Sequence, residues 1–162
     1  MTFLVPFDGT ALSETALARA AAFAVIDDAD ILAVSVIPHG NVKYARERGW
    51  IESEEDFELE TVLSTLRNRV ADCCPEAEFR YELADRYAPS GTISLRIRNV
   101  AREVNATMVF IGSENAGRIV SAVGSVGAGV STEPTYDVHI VRHLGPLTDT
   151  ARESDPSLSP SG

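Results

Sequence analysis

Ile31-Leu32-Ala33-Val34-Ser35-Val36-Ile37, closed by Pro38-His39-Gly40, is the stretch that decides the fold. Apart from Ser35 the run is apolar, with no polar residue alternating through it. A strand that shows one face to water alternates; a run this continuous reads as a strand covered on both faces, the habit of parallel sheets. Pro38 and Gly40 then supply the turn that ends it.

Working outward, Thr107 to Ile111 has the same character and is closed by Gly112. Thr2 to Phe7 is apolar and bounded by Pro6-Phe7-Asp8-Gly9, so it reads as a first buried strand. Phe79 to Ala84 alternates and gives a third strand, and Tyr136 to Arg142 a fifth, placed at an edge of the sheet. Helical spacing fills the intervals. Ala16, Leu17, Ala20, Phe23 and Ala24 mark one helix, with Ser13 expected as its cap and Asp27-Asp28-Ala29-Asp30 as its break. Leu59, Val62, Leu63, Leu66 and Val70 mark another, stopped by Pro75. Ile93, Ile97, Val100, Ala101 and Val104 mark a third, with Asn105 as its C-terminal cap. A weaker pattern runs from about Gly124 to Thr132. The polar stretch from Asn41 to Asp56 holds Trp50 and the acids Glu52, Glu54, Glu55 and Asp56, and reads as a solvated loop.

Strands alternating with helices predict an α/β fold: a five-stranded parallel open sheet with helices on both faces, Rossmann-like, with about four helices. Residues 1–143 form the expected domain. The tail from Leu144 to Gly162 has almost no apolar content and is expected to be disordered.

The composition bounds the function. At 162 residues and 44% hydrophobic, the chain can bury the core of one ordinary domain. No apolar run reaches the roughly 18–20 residues that span a bilayer. Met1 to Pro6 carries no basic region ahead of its apolar stretch, so no secretory signal is expected and the cytoplasm is the expected compartment. Fourteen basic residues against twenty-four acidic ones give a net charge of −10. That sign argues against nucleic acid and anionic membrane as partners, since phosphate backbones need a basic footprint. Lys43 is the only lysine; an acidic, lysine-poor surface is expected of a protein adapted to high salt, where screening removes most self-repulsion. Cys73 and Cys74, adjacent in sequence, are too close to staple a fold and read as two free thiols near a helix end in a reducing compartment. His39, His139 and His143 are scattered, which gives a metal site no support.

In an open parallel sheet, ligands bind beyond the carboxyl ends of the strands. The loops that matter are therefore Pro6 to Thr10, Val36 to Gly40, the approach to Gly91, and Gly112 to Ser125. Gly112-Ser113-Glu114-Asn115-Ala116-Gly117-Arg118-Ile119 lacks the Lys and hydroxyl of a P-loop, and Asp8-Gly9-Thr10-Ala11-Leu12-Ser13 lacks the dinucleotide glycines. Gly112 at a strand end and Gly124-Ser125 at a helix start still offer backbone N–H groups to an anion. A simple turn at Gly112 and a simple cap at Ser125 account for the same residues. No catalytic constellation emerges. His39 reads as a solvated loop histidine and His139 as an outward-facing strand residue, while Asp8 and Glu114 are both placed to line the crevice.

Phe3-Leu4-Val5-Pro6-Phe7-Asp8-Gly9-Thr10 with Ser13-Glu14-Thr15-Ala16-Leu17 resembles the start of universal stress proteins. So do Asn105-Ala106-Thr107-Met108-Val109-Phe110-Ile111-Gly112-Ser113, Gly124-Ser125-Val126, and Val138-His139-Ile140-Val141-Arg142. Gly91-Thr92 fits the turn after the family's third strand. The resemblance spans about residues 2–143. It implies a parallel α/β sandwich of the adenine nucleotide alpha hydrolase-like kind, a homodimer through the strand at 136–142, and, in one branch, bound ATP or a related adenine nucleotide, with or without Mg²⁺. That branch carries Gly-x2-Gly-x9-Gly-Ser/Thr after the fourth strand. Gly112 and Gly124-Ser125 match its ends; Asn115 replaces the second glycine, and the segment is one residue short. Asn tolerates the left-handed backbone a glycine would supply there. Gly117 is placed to restore the bend, Arg118 is a nearby cation, and Val126 follows the closing pair. The resemblance also implies Pro6, Asp8, Val36 and Ile111 around the adenosine. It leaves two roles: a nucleotide-binding stress module with slow hydrolysis at most, or a non-binding interaction module. The related ATP-pyrophosphatases need a Ser-Gly-Gly-rich first loop, which Phe7-Asp8-Gly9-Thr10 does not supply.

Overall fold

A computed structural model describes residues 1–116 and 136–144. Five strands, β1 (Thr2–Pro6), β2 (Asp30–Pro38), β3 (Glu78–Ala84), β4 (Ala106–Gly112) and β5 (Asp137–Val141), form one sheet in the order β3-β2-β1-β4-β5. Every pairing is parallel, with Phe3 opposite Ile31 and Met108, and Ile111 opposite Ile140. Four helices are α1 (Ala11–Asp27), α2 (Val42–Glu47), α3 (Leu59–Cys73) and α4 (Ser90–Glu103), and residues 113–116 after β4 are also helical.

The pleat explains the two cores. Phe3 and Val5 of β1, with Ala33 and Ile37 of β2 and Phe110 of β4, point to one face and meet Leu17 and Ala20 of α1 and Leu66 and Val70 of α3. Leu4, Leu32, Val34, Val36, Val109 and Ile111 point to the other and meet Ile97 and Val100 of α4. Strands between two helical layers are apolar at successive positions, as in Ile31 to Ile37 and Thr107 to Ile111. β3 lies at an edge and shows the cost of that place: Tyr81 and Leu83 are exposed. β5 takes the opposite edge, as its sequence led us to expect.

Three local readings are corrected. The cap of α1 is Thr10, whose Oγ1 accepts from Ser13 N–H at 3.3 Å. Ser13 lies one turn inside, buried, its hydroxyl turned back to the Thr10 carbonyl at 2.9 Å. The stretch from Asn41 is not all loop. Asn41 Oδ1 accepts from Tyr44 N–H and starts α2, and Ala45, Trp50 and Ile51 are buried. Its short amphipathic turn is too brief to show a period, and the burial of Trp50 comes from residues distant in sequence. His139 does not face outward: it is half-buried on the α1 side, its ring 5.1 Å from that of Phe110 and 5.5 Å from that of Phe23.

The expected breaks hold. α1 ends at Asp27, with Asp28 left-handed at φ 51°, and Asn105 after α4 is left-handed at φ 53°. α3 ends two residues before Pro75. The helix expected at Gly124–Thr132 and the tail beyond Leu144 lie outside the described residues. Among the described residues no helix is long and apolar enough to cross a membrane.

Candidate functional site

The chain order runs outward from β1 to β2 and β3, then crosses to β4 and β5, so the switch point lies between β1 and β4. Diverging connections there leave a crevice at the carboxyl ends of the strands. An open cleft occupies it. Its floor is apolar: Pro6 from β1, Val34 and Val36 from β2, Ile111 from β4. Ser90, Ile93, Ser94 and Ile97 of α4 form one wall, and Tyr44 and Arg48, from α2 and its C-terminal cap, form the other.

Asp8 is the carboxylate in this setting. Its Oδ1 accepts from both the amide (3.1 Å) and hydroxyl (2.6 Å) of Thr10, which fixes it against the first turn of α1. Its Oδ2 accepts from Asn115 Nδ2 at 3.3 Å and lies 3.7 Å from Arg48 Nε. The backbone of the same turn is tied from behind. Trp50 Nε1 donates to the Asp8 carbonyl at 2.7 Å, and Arg69 of α3 donates to the carbonyls of Gly9 (3.3 Å) and Gly49 (2.8 Å). Gly9 itself has φ +79°, and a Cβ there would stand 2.6 Å from Arg69 Nη1. The left-handed turn favours glycine, and any side chain there would have to push the Arg69 guanidinium aside.

Of the residues expected at the site, Pro6, Asp8, Val36, Ile111 and Asn115 come together in the cleft. Gly112 ends β4 beside it and is buried; a Cβ there would meet Leu12 Cβ at 2.9 Å, so the close approach of α1 already requires glycine. Gly117, Arg118, Gly124, Ser125 and Val126 lie outside the described residues. Glu114 does not line the cleft and is exposed. His39 is exposed beside Phe57, edge-on at 5.6 Å, and is also no part of the lining. The sequence reading missed Tyr44, Arg48 and Trp50. Asn41 is a residue type favoured at a helix N-cap, but nothing local pointed α2 at the cleft.

The other titratable candidates, Cys73, Cys74 and His139, are partly or fully buried and are not among the residues lining the cleft. Burial pushes both thiols up; Glu14, Asp72 and the neighbouring Cys74 add to the effect at Cys73, as Glu76 does at Cys74. Thiols held protonated are poor nucleophiles. Burial, aided by the Arg19 charge, pushes the His139 imidazole down. Among the described residues no group of three or more His, Cys, Asp or Glu side chains is placed to hold a metal ion.

A doubly wound parallel sheet, with an open apolar-floored cleft at its switch point and an aspartate fixed at the end of the first strand, defines a Rossmann-like α/β domain. The chain belongs to the universal stress protein family, whose pattern it matches over residues 1–142. Its fold is similar to that of a universal stress protein solved in complex with cAMP, at 24% identity and a TM-score of 0.50, over 90% of this chain and 98% of that one. It is also similar to a universal stress protein family member from Burkholderia pseudomallei, at 15% identity and 0.56, over 88% and 96%. A third is a hypothetical protein whose biochemical function was assigned from its structure, at 13% identity and 0.57, over 90% and 97%. No curated protein matches the chain.

Proposed function

We propose that this universal stress protein binds an adenine nucleotide, ATP with Mg²⁺ in its fullest form, in the cleft between β1 and β4. The observation that carries the reading is the convergence of Pro6, Asp8, Val36, Ile111 and Asn115 on one cavity at the switch point. The apolar floor suits a purine ring, and Asp8 at the rim is an acceptor for ligand hydroxyl or amine groups. The family includes a protein solved with cAMP, itself an adenine nucleotide. Asp8 is already engaged by Thr10 and Asn115, which favours binding over acid–base chemistry, with hydrolysis slow at most. We further propose that the protein acts in the cytoplasm as a homodimer paired through the β5 edge, and that bound nucleotide alters its contacts in a stress response. Nucleic acid and membrane are not partners in this scheme.

One observation favours the non-binding alternative, a dimeric interaction module. Asn115, standing where the nucleotide-binding branch has glycine, spends its amide on Asp8 rather than offering bare backbone to a phosphate. Calorimetry with ATP and Mg²⁺ at high salt separates the two. Saturable heat from the unmodified protein is the expected result, with Asn115→Gly equal or tighter. No heat from the unmodified protein, but saturable heat from Asn115→Gly carrying one inserted loop residue, would assign the chain to the non-binding branch.

A further inference from the structure

In a protein of net charge −10 a local cation favours phosphate beyond what backbone N–H groups offer, and the described cleft supplies one from an unexpected direction. Arg48 is the only cationic residue among the described lining residues. Its guanidinium carbon lies 3.5 Å from the centroid of the Tyr44 ring, one helical turn earlier, so the planar group is held before any ligand arrives. Its Nε is buried and makes no hydrogen bond among the described residues; the approach to Asp8 Oδ2 at 3.7 Å is an ion contact only. That oxygen is the one that accepts from Asn115 Nδ2. A single carboxylate oxygen therefore separates Arg48 from the helical turn at residues 113–116 that follows β4.

The segment that presents Arg48 is fastened at both ends. Asn41 caps α2 and donates its amide to the Arg86 carbonyl at 2.7 Å, while Arg69 holds Gly49 and Trp50 holds Asp8. A loose surface arginine would lose rotamer entropy on gripping an anion; this one is already ordered by its ring and its anchors.

We propose that Arg48 is the cation that binds the ligand's phosphate, reaching across Asp8 from the α2 wall to an anionic group held near Asn115. Asp8 then has two roles: it meets the nucleoside and keeps the guanidinium aimed into the cleft. The inference rests on the nucleotide reading above and adds to it a discrimination between nucleotide and nucleoside.

Titrating adenosine, AMP and ATP into the unmodified protein, Arg48→Gln and Arg48→Lys at one ionic strength tests it. Arg48→Gln is expected to weaken AMP and ATP by about tenfold or more, the scale of one charge-assisted contact, and to leave adenosine within about twofold. Arg48→Lys keeps the charge without the fork; it is expected to fall between, and it carries the test if Arg48→Gln does not fold. An unchanged ratio of ATP to adenosine affinity in the folded variants overturns the role of Arg48, as does an equal loss for all three ligands. If the unmodified protein binds none of the three, the nucleotide reading itself fails and Arg48 with it, an outcome distinct from the other two.

Discussion

The floor and the α2 wall of the cleft are built by different physics. The floor is the end of a sheet packed on both faces, so Val34, Val36 and Ile111 stand where they do because β2 is buried from Ile31 to Pro38 and β4 from Val109 to Gly112. The wall has a small apolar anchor in Ala45, Trp50 and Ile51, and otherwise hangs from polar ties that join distant parts of the chain: Trp50 to the carbonyl of Asp8, Arg69 to Gly9 and Gly49, Asn41 to Arg86. Apolar burial is spread over many neighbours and tolerates the loss of none of them cheaply; a directional tie is local and fails alone. The contrast teaches that the floor should be as stable as the whole domain, while the wall can open beneath that limit.

The largest effect should follow from breaking the layer beneath the floor. Phe110 is fully buried, its ring 5.3 Å from that of Phe3 and 5.7 Å from that of Phe23. Phe110→Ala should cost about 3–5 kcal/mol by the transfer and cavity terms of such truncations, read as a lower denaturant midpoint with an unchanged slope. A loss below about 1 kcal/mol would mean that the core closes around the missing ring, and the floor would lose its distinction from the wall.

Trp50→Phe sharpens the comparison from the other side. It keeps an aromatic body in the buried site but leaves the Asp8 carbonyl without the indole donor. The expected loss is about 1–2 kcal/mol, with amide exchange faster across residues 42–51 and unchanged in β1 and β2. Equal acceleration in the strands would show that wall and floor open as one unit.

The smallest effect concerns pH. His139 packs against Phe110 with its pKa held below the ordinary 6.5 by burial and by Arg19. The unfolded chain therefore takes up the proton first. The stability contributed by neutral His139 is full above about pH 6.5 and is lost as the pH falls below it. His139→Gln should flatten the decline in melting temperature between pH 7 and 5. An identical decline in both proteins would place the titrating group elsewhere.

Much of the floor was legible in the sequence because two-sided burial leaves an unbroken apolar run, as at Ile31 to Ile37, and a helix of four turns leaves a period, as at Leu59 to Val70. The resemblance placed Pro6, Asp8, Val36, Ile111 and Asn115 together, and the structure brings them together. The wall was not legible. α2 is only six residues long, and its orientation depends on Trp50 and Arg69 meeting Asp8 and Gly9 across 42 and 60 residues of chain. Ser13 misled for a related reason: a hydroxyl at a helix start signals a cap, but Thr10 already stood at the turn, leaving Ser13 to be buried one turn later.

The chain contains one tryptophan, and its indole N–H rests on the backbone carbonyl of the residue that marks the rim of the cleft. Indole emission shifts with the polarity and hydrogen bonding around the ring. Any ligand that moves the Asp8–Gly9 turn, or that draws Arg48 off the Tyr44 ring packed 5.5 Å from Trp50, changes those surroundings. The protein thus carries its own optical gauge of cleft occupancy, readable without a label and free of background from any second tryptophan.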